Sequence, residues 1–270
     1  MNNRRQDILK IVAMVTMLID HIGLLFFPEE PTFRLIGRVA FPLYAYFIAQ
    51  GFRYTRSRPR YFLRLLLFGL IAQVPFGWLN EGAIYDPWQV NQIPMLLYGA
   101  LVLVVLEQGK KAGSGLRKSV FILVSLVLAF VPEWLMVEIP KLSLHYGTYG
   151  ILLIMLFYWF DRRWPELITG FIGLAWFYPY RYFAQWSGPE GDFFSSWTNF
   201  RGIAQYYKLT ASSWISFSQL WNQNNALFSL PIIYLAQQLP TKLRLNKWLA
   251  YWFYPGHIAL LVLIYHLFVK

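Results

Sequence analysis

Residues 8–27 read ILKIVAMVTMLIDHIGLLFF, an apolar run of membrane-spanning length with an adjacent aspartate and histidine in its second half. A transmembrane helix needs about 20 apolar residues, and similar runs recur along the whole chain with short polar breaks between them. The 270 residues are 57% hydrophobic and only 14% charged, which exceeds the apolar content that a soluble core needs. The sequence therefore predicts one all-α, polytopic bundle of transmembrane helices over residues 1–270, embedded in a lipid bilayer.

Proline, glycine and charged residues divide this bundle into nine predicted spans. We expect them at about 8–27, 33–53, 60–79, 92–107, 117–136, 143–160, 164–183, 212–238 and 248–269. The basic residues cluster in alternate connections, as follows: Arg4, Arg5 and Lys10; Arg53, Arg56, Arg58 and Arg60; Lys110, Lys111, Arg117 and Lys118; Arg162 and Arg163; Lys242, Arg244 and Lys247. By the positive-inside rule, this alternation predicts a cytoplasmic N-terminus and an external C-terminus. The net charge of +11 thus follows from topology, and we expect no nucleic-acid partner.

The segment 184–224 interrupts the pattern of apolar spans. It is too polar to cross the hydrocarbon core and unusually rich in tryptophan and tyrosine, which favour the membrane interface. We predict an external or interfacial segment, either resting on the bilayer surface or covering an external site.

Ionisable side chains within the predicted spans need an explanation, because each costs a few kcal/mol or more unless it is paired or faces water. Asp20 and Arg38 share a depth towards the outer leaflet, so we expect them to pair across the first hairpin. Asp20 and His21 are sequence neighbours that point about 100° apart on a helix, which argues against a simple Asp–His dyad. His21 would then turn into a cavity as a base. The alternatives are a purely structural Asp20–Arg38 clamp and a buried structural histidine.

Two prolines lie at the depth of these polar residues. Pro42 has no N–H, so it leaves the carbonyl of Arg38 without its helical partner and bends the second helix there. Pro255 does the same to the carbonyl of Tyr251, shortly before His257. Broken helices within a membrane are tolerated where they line a cavity, so both prolines indicate a site.

Several kinds of chemistry are disfavoured by the residues present. The chain has no cysteine, which excludes a cysteinyl acyl-enzyme. Its four histidines are dispersed without an HxxxH or HExxH pair, so we expect no metal site. No P-loop, nucleophile elbow or dinucleotide-binding glycine motif occurs.

Four blocks of sequence resemble the TraX family, integral membrane proteins named for the acetylase that modifies the N-terminus of F-pilin. They are RQDILKIVAMVTMLIDHIG (5–23), RLIGRVAFPLYAYFIAQGF (34–52), HYGTYGILLI (145–154) and FYPGHIALLVLIY (253–265). The resemblance implies acetyl transfer from acetyl-CoA in a multi-helix acyltransferase-like fold of a bacterial cytoplasmic membrane. It marks Asp20, His21, Gly37, Arg38, Pro42, Tyr146, Gly147 and His257, with Tyr254 and Pro255 as further pocket residues.

Acetyl transfer to an amine needs a base for the acceptor proton and a donor for the oxyanion. His21 or His257 can be the base, and Arg38 can hold the oxyanion or fix Asp20. The CoA phosphates need cations, which we expect from the loop FRYTRSRPRYFLR: Arg53, Arg56, Arg58, Arg60 and Arg64. Alternatively, these arginines only set the topology.

The acceptor is left open between an amine of a peptide or pilin-like N-terminus and a hydroxyl of a cell-surface glycan. Outside enzymes, the cluster of Asp20, His21 and Arg38 also suits a secondary transporter. A scaffold of a pilus or secretion assembly is a third possibility.

Overall fold

A computed structural model describes residues 3–81, 87–186, 222–239 and 243–269, and these form an all-α bundle. The helices are α1 (Asn3–Phe26), α2 (Pro31–Gly37), α3 (Ala40–Tyr54), α4 (Arg58–Glu81), α5 (Gln92–Lys111), α6 (Gly115–Glu138), α7 (Gly147–Trp159), α8 (Trp164–Trp186), α9 (Ser229–Gln238) and α10 (Lys247–Phe268). A 3₁₀ helix, Asn222–Phe228, precedes α9. Most of the aromatic segment predicted over 184–224, namely 187–221, lies outside the described residues.

Six segments of the described chain are long and apolar enough to cross a membrane: Gln6–Phe26, Pro31–Tyr54, Arg58–Leu79, Gln92–Lys111, Gly115–Glu138 and Lys247–Phe268. Helix α6 exposes large apolar side chains on its outer face, including Leu123 and Val127. Such a face is stable against lipid and unfavourable against water. These features indicate a membrane protein, whereas the count of nine spans remains a prediction.

The core of the bundle is built around α3 and α7, which pack against one another and against α5. Their facing sides bury large aromatic residues completely, among them Phe52, Tyr149 and Phe157. Helix α7 spans only 13 residues, shorter than the predicted 143–160. It begins late because Ser143 and Leu144 form a short parallel ladder with Gln89–Val90 and Tyr146 has a left-handed backbone.

The predicted second helix is interrupted near the predicted bend, although Arg38 and Val39 keep right-handed helical backbone angles. Helix α2 ends at Gly37 and α3 starts at Ala40, with Arg38 and Val39 forming the turn between them. The break lies where Pro42 cannot donate to the carbonyl of Arg38. By contrast, α10 continues through Pro255.

Within the described residues, segments that carry the basic clusters meet at one face of the bundle. Three contacts join elements far apart in sequence at that face. The side chain of Arg53 forms an ion pair with Asp161. The ammonium of Lys110 donates to the carbonyl of Trp159, and the carboxylate of Asp7 accepts from the backbone N–H of Leu245. We refer to this side, which also holds Lys10, Arg56 and Lys247, as the basic face.

Candidate active site

A pair of histidines forms the centre of the site. Helices α1 and α10 pack against each other and bring His21 against His257, 236 residues apart in the chain. The Nδ1 atom of His21 lies 2.7 Å from the Nε2 atom of His257, and both residues are buried. The Nδ1 atom of His257 lies 2.6 Å from the backbone carbonyl oxygen of Phe253. The two histidines are therefore linked to each other and anchored to the backbone of α10.

The hydrogen bonds fix the tautomer of each ring when both are neutral. A carbonyl oxygen only accepts, so His257 carries its proton on Nδ1 and donates it to Phe253. The Nε2 atom of His257 then accepts from Nδ1 of His21. The lone pair of His21 is consequently on Nε2, which leaves this nitrogen available as a base. His257 contacts the second nitrogen of His21, the position that an orienting group occupies in a catalytic triad.

Asp20 forms its ion pair with Arg34, whereas the sequence predicted Arg38 as its partner. Its carboxylate accepts from Nη1 of Arg34 at 2.9 Å, one helical turn before Arg38. The guanidinium of Arg38 instead donates to the hydroxyl of Tyr146 at 3.4 Å. The spacing RLIGR puts both arginines on one face of a helix, which is the signal that could have identified Arg34. Asp20 and His21 have different partners, as their helical spacing predicts.

Gly37 is required by the packing of Asp20. A Cβ atom at position 37 would lie 2.1 Å from Oδ1 of Asp20 and 2.3 Å from its Cβ atom. Only glycine lets α2 approach α1 so closely, as small residues do between membrane helices. The glycine that the family resemblance marks therefore has a physical role beside the Asp20–Arg34 pair.

A cavity of about 690 Å³ connects this centre with the basic face. Its wall includes Asp20, His21, Gly37 and Tyr146 at the site, and Tyr44 and Tyr254 beside them. Basic residues line its other part: Lys10, Arg56, Arg64 and Lys247. Lys10 and His21 are eleven positions apart on α1, so the cavity extends about 16 Å along the helix.

The predicted CoA-binding arginines divide into three groups. Arg56 and Arg64 line the cavity. Arg53 is engaged by Asp161, and Arg58 donates two hydrogen bonds to Glu107, at 2.7 and 2.8 Å. Arg60 is exposed and does not belong to the described cavity wall. Sequence reasoning assigned Lys10 and Lys247 only to topology, although both line the cavity.

Curated relatives match parts of this chain. The probable fimbrial assembly protein FimC, serogroup H1, of Dichelobacter nodosus is 37% identical over 75 residues, 26% of this chain and 31% of the relative. An uncharacterized protein of Rickettsia prowazekii (strain Madrid E) is 39% identical over 69 residues, 26% of each chain. Protein TraX of Escherichia coli is 30% identical over 155 residues, 57% of this chain and 55% of the relative. The chain thus matches about half or less of the length of these relatives.

No solved structure matches this chain. The family model described as TraX protein matches residues 5–178, more than half of the sequence. The matched region contains Asp20, His21, Arg38 and Tyr146, so most of the candidate site falls within it. The chain therefore belongs to the TraX family.

Proposed function

We propose that this protein is a membrane-embedded acetyltransferase that moves an acetyl group from cytoplasmic acetyl-CoA to an amine at the membrane. The observation that carries the proposal is one cavity with cations at the basic face and, in its wall, His21 from a helix long and apolar enough to cross a membrane. CoA combines phosphates with a long uncharged arm that ends in the thioester. Such a molecule needs cations at one end of its site and a base at the other.

The phosphates would bind at the basic face of the cavity. Arg56 and Arg64 are well suited to them because guanidinium matches phosphate geometry, and Lys247 adds a further charge. Lys10 also lines the cavity, but its ammonium is paired with Asp7 at 2.7 Å, so it is not assigned to the phosphates. The pantetheine arm would then pass the aromatic and apolar wall, including Phe41, towards His21. Arg53 and Arg58 are left out of the proposed CoA site, since their carboxylate partners hold them between helices.

The orientation of the protein follows from the same cations. The positive-inside rule puts the basic face in the cytoplasm, where acetyl-CoA is available. The N-terminus would then be cytoplasmic and, with nine spans, the C-terminus external. Acetyl-CoA would enter from the cytoplasm, and the site beside Asp20 and Tyr146 would lie nearer the outer leaflet of a bacterial cytoplasmic membrane.

His21 is the only base that the proposed transfer requires. The acceptor nitrogen would attack the thioester carbonyl carbon while Nε2 of His21 takes its proton. The imidazolium formed on His21 is stabilised because its Nδ1–H already donates to His257. Collapse of the tetrahedral intermediate would expel the CoA thiolate, which takes the proton back from His21.

A pilin-like N-terminal amine is the acceptor that we propose. Membership of the TraX family supports it, as does a relative whose name describes a probable fimbrial assembly protein. A glycan hydroxyl would need the same base, so a direct comparison of the two acceptors is required.

The proposal is tested by incubating the purified protein with acetyl-CoA labelled in its acetyl group. We expect release of CoA and transfer of the label to a pilin N-terminal peptide in lipid nanodiscs. Label on a surface polysaccharide and none on the peptide would replace the amine with a hydroxyl acceptor. Absence of both CoA release and acetyl-CoA binding by calorimetry would contradict the acetyltransferase function.

The proposed CoA site can be tested by substituting two arginines of α4 one at a time. Arg64 lines the cavity, whereas Arg60, one turn earlier, is exposed outside its described wall. We expect Arg64→Ala to raise the KM for acetyl-CoA about tenfold, equivalent to about 1.4 kcal/mol of binding, with a small change in kcat. Arg60→Ala is the matched control and should leave KM within about twofold. Equal effects of the two variants would point to a general surface potential.

The role of His257 can be tested by two substitutions that differ in hydrogen bonding. His257→Phe keeps an aromatic ring stacked on His21 but removes the acceptor for its Nδ1–H. We expect kcat to fall about 100-fold, as for loss of an orienting partner. His257→Asn supplies an amide oxygen and should recover part of this loss. If His257→Phe kept wild-type kcat, His257 would only fill space.

A further inference from the structure

We propose that the hydroxyl of Tyr146 is the oxyanion donor of this site, hydrogen-bonding the carbonyl oxygen of the acetyl thioester. Arg38 would be a positioning residue that acts through Tyr146 and does not itself contact the substrate. The inference rests on the proposed acetyltransferase function and names the group that stabilises its transition state. The group that the Tyr146 hydroxyl would bind is therefore the carbonyl of an acyl thioester.

The hydrogen bond between Arg38 and Tyr146 leaves the tyrosine proton available. Nη1 of Arg38 donates to the hydroxyl oxygen at 3.4 Å, so this oxygen is the acceptor. Among the described residues, the structure gives the Tyr146 hydroxyl no acceptor for its own proton. Tyr146 belongs to the described cavity wall together with His21, and Arg38 does not. A guanidinium behind the phenol strengthens the O–H as a donor to developing negative charge.

The backbone of Tyr146 is held in an unfavourable conformation. Its φ angle is +63°, and the following Gly147 also has a positive φ, +37°. A left-handed backbone at a non-glycine residue costs about 1 kcal/mol or more and persists where the surroundings enforce it. The next residue, Thr148, is fixed by α6, since its N–H donates to the buried carboxylate of Glu133 at 3.0 Å. Backbone strain of this kind clusters at functional sites, so its occurrence in the cavity wall is consistent with a functional role of Tyr146.

The ring of Tyr146 is also held in place by packing against Phe41. It stacks on Phe41 with ring centroids 3.6 Å apart and an interplanar angle of 8°. Gly150 makes room for this stack, because a Cβ atom there would lie 2.7 Å from the Phe41 ring and 3.2 Å from the Tyr146 Cβ atom. Phe41 itself lines the cavity. The phenol is thus preorganised by packing, as a donor aimed at a transition state should be.

The hydrogen bond from Tyr146 stabilises the transition state of acetyl transfer and adds no further proton transfer to it. As the acceptor nitrogen attacks, the carbonyl oxygen gains negative charge and the hydrogen bond from Tyr146 shortens. Tyr146 keeps its proton throughout, since His21 takes the proton of the amine. The C–S bond then breaks, the carbonyl re-forms, and the thiolate receives the proton from His21.

The kinetic test is Tyr146→Phe, which removes the hydroxyl and keeps the ring that stacks on Phe41. We expect kcat for acetyl transfer to fall about 100-fold with the KM for acetyl-CoA within about threefold. The control is Tyr98→Phe, which removes a hydroxyl that donates to the Leu128 carbonyl at 2.8 Å outside the described cavity wall. It should keep full kcat. A Tyr146→Phe enzyme with more than a third of wild-type kcat would overturn the proposal.

A double-mutant cycle tests the role of Arg38. If Arg38 acts through the hydroxyl, Arg38→Gln should lower kcat in the wild type and have little further effect in Tyr146→Phe. Additive losses would mean that Arg38 acts independently, contrary to the proposal. The cycle needs only folded variants, which thermal unfolding in detergent checks.

A spectroscopic readout separates this inference from the proposed function. Acetonyl-CoA is a stable ketone analogue, and its carbonyl stretch should shift to lower frequency on binding to the wild type and return in Tyr146→Phe. If the wild type binds the analogue and transfers acetyl groups but the carbonyl band is unchanged by Tyr146→Phe, the inference fails alone. If the wild type neither binds nor turns over acetyl-CoA, the function and the inference fail together.

Discussion

His21→Ala is expected to lower kcat for acetyl transfer about 1,000-fold or more while leaving CoA binding nearly intact. The variant removes the nitrogen that takes the acceptor proton, and a positioned general base contributes about 10²–10⁴-fold. His257 is not expected to replace it, because it does not belong to the described cavity wall, although loss of His21 would free its Nε2 atom. CoA release measured with labelled acetyl-CoA gives kcat, and calorimetry with CoA gives binding.

His266 provides the matched control for this prediction. It lies on α10, donates to the Val262 carbonyl at 2.9 Å, and packs against Trp78 outside the described cavity wall. His266→Ala should therefore keep wild-type kcat. If His21→Ala retained more than a tenth of wild-type activity, His21 would be a structural histidine and the base would have to be sought elsewhere.

The sequence predicted the long apolar helices of the fold because bilayer-spanning helices leave a local signal. Apolar runs of about 20 residues predict both α1 and α10. Pro42 marked the break at Arg38 because the missing N–H acts within one turn. The meeting of the basic clusters at one face also followed from sequence, since it needs only the order of spans and loops.

Partners across the bundle could not be predicted in the same way. Helical spacing shows that Asp20 and His21 point apart, but it does not tell which helix faces either of them. The contact between His21 and His257 joins residues 236 positions apart, and nothing local to either block encodes it. Arg38 was predicted as the partner of Asp20 from its depth, whereas Arg34, one turn earlier, forms the ion pair.

For the same reason, the sequence could not show which arginines of the arginine-rich loop are available to a ligand. Five arginines in one stretch have equal affinity for phosphate as far as the sequence shows. Which of them remain available depends on carboxylates elsewhere: Glu107 on α5 engages Arg58, and Asp161 after α7 engages Arg53. These acids lie 49 and 108 positions from their partners, so only the folded bundle distinguishes structural from ligand-binding arginines.

Gly37→Ala is expected to lower the stability of the protein by about 3 kcal/mol, near the upper end for overpacking a tight contact. The added methyl would fall 2.1 Å from a carboxylate oxygen of Asp20, so α1 and α2 must separate or Asp20 must leave its position. Either movement weakens the Asp20–Arg34 ion pair at 2.9 Å and displaces its neighbour His21. Thermal unfolding in detergent should show a fall in Tm on the order of 6–10 °C, together with reduced kcat.

Gly256→Ala is the control, because no atom beyond the adjoining residues and the helix's own backbone lies within 4 Å of a Cβ atom built there, although the residue adjoins His257. Alanine is favoured over glycine inside a helix by about 1 kcal/mol, so this variant should be as stable as the wild type or slightly more stable. A Gly37→Ala protein with wild-type Tm would mean that α1 and α2 separate at little cost. Full activity in that variant would further mean that the Asp20–Arg34 pair does not position His21. Loss of activity with unchanged Tm would instead assign Gly37 to the site alone.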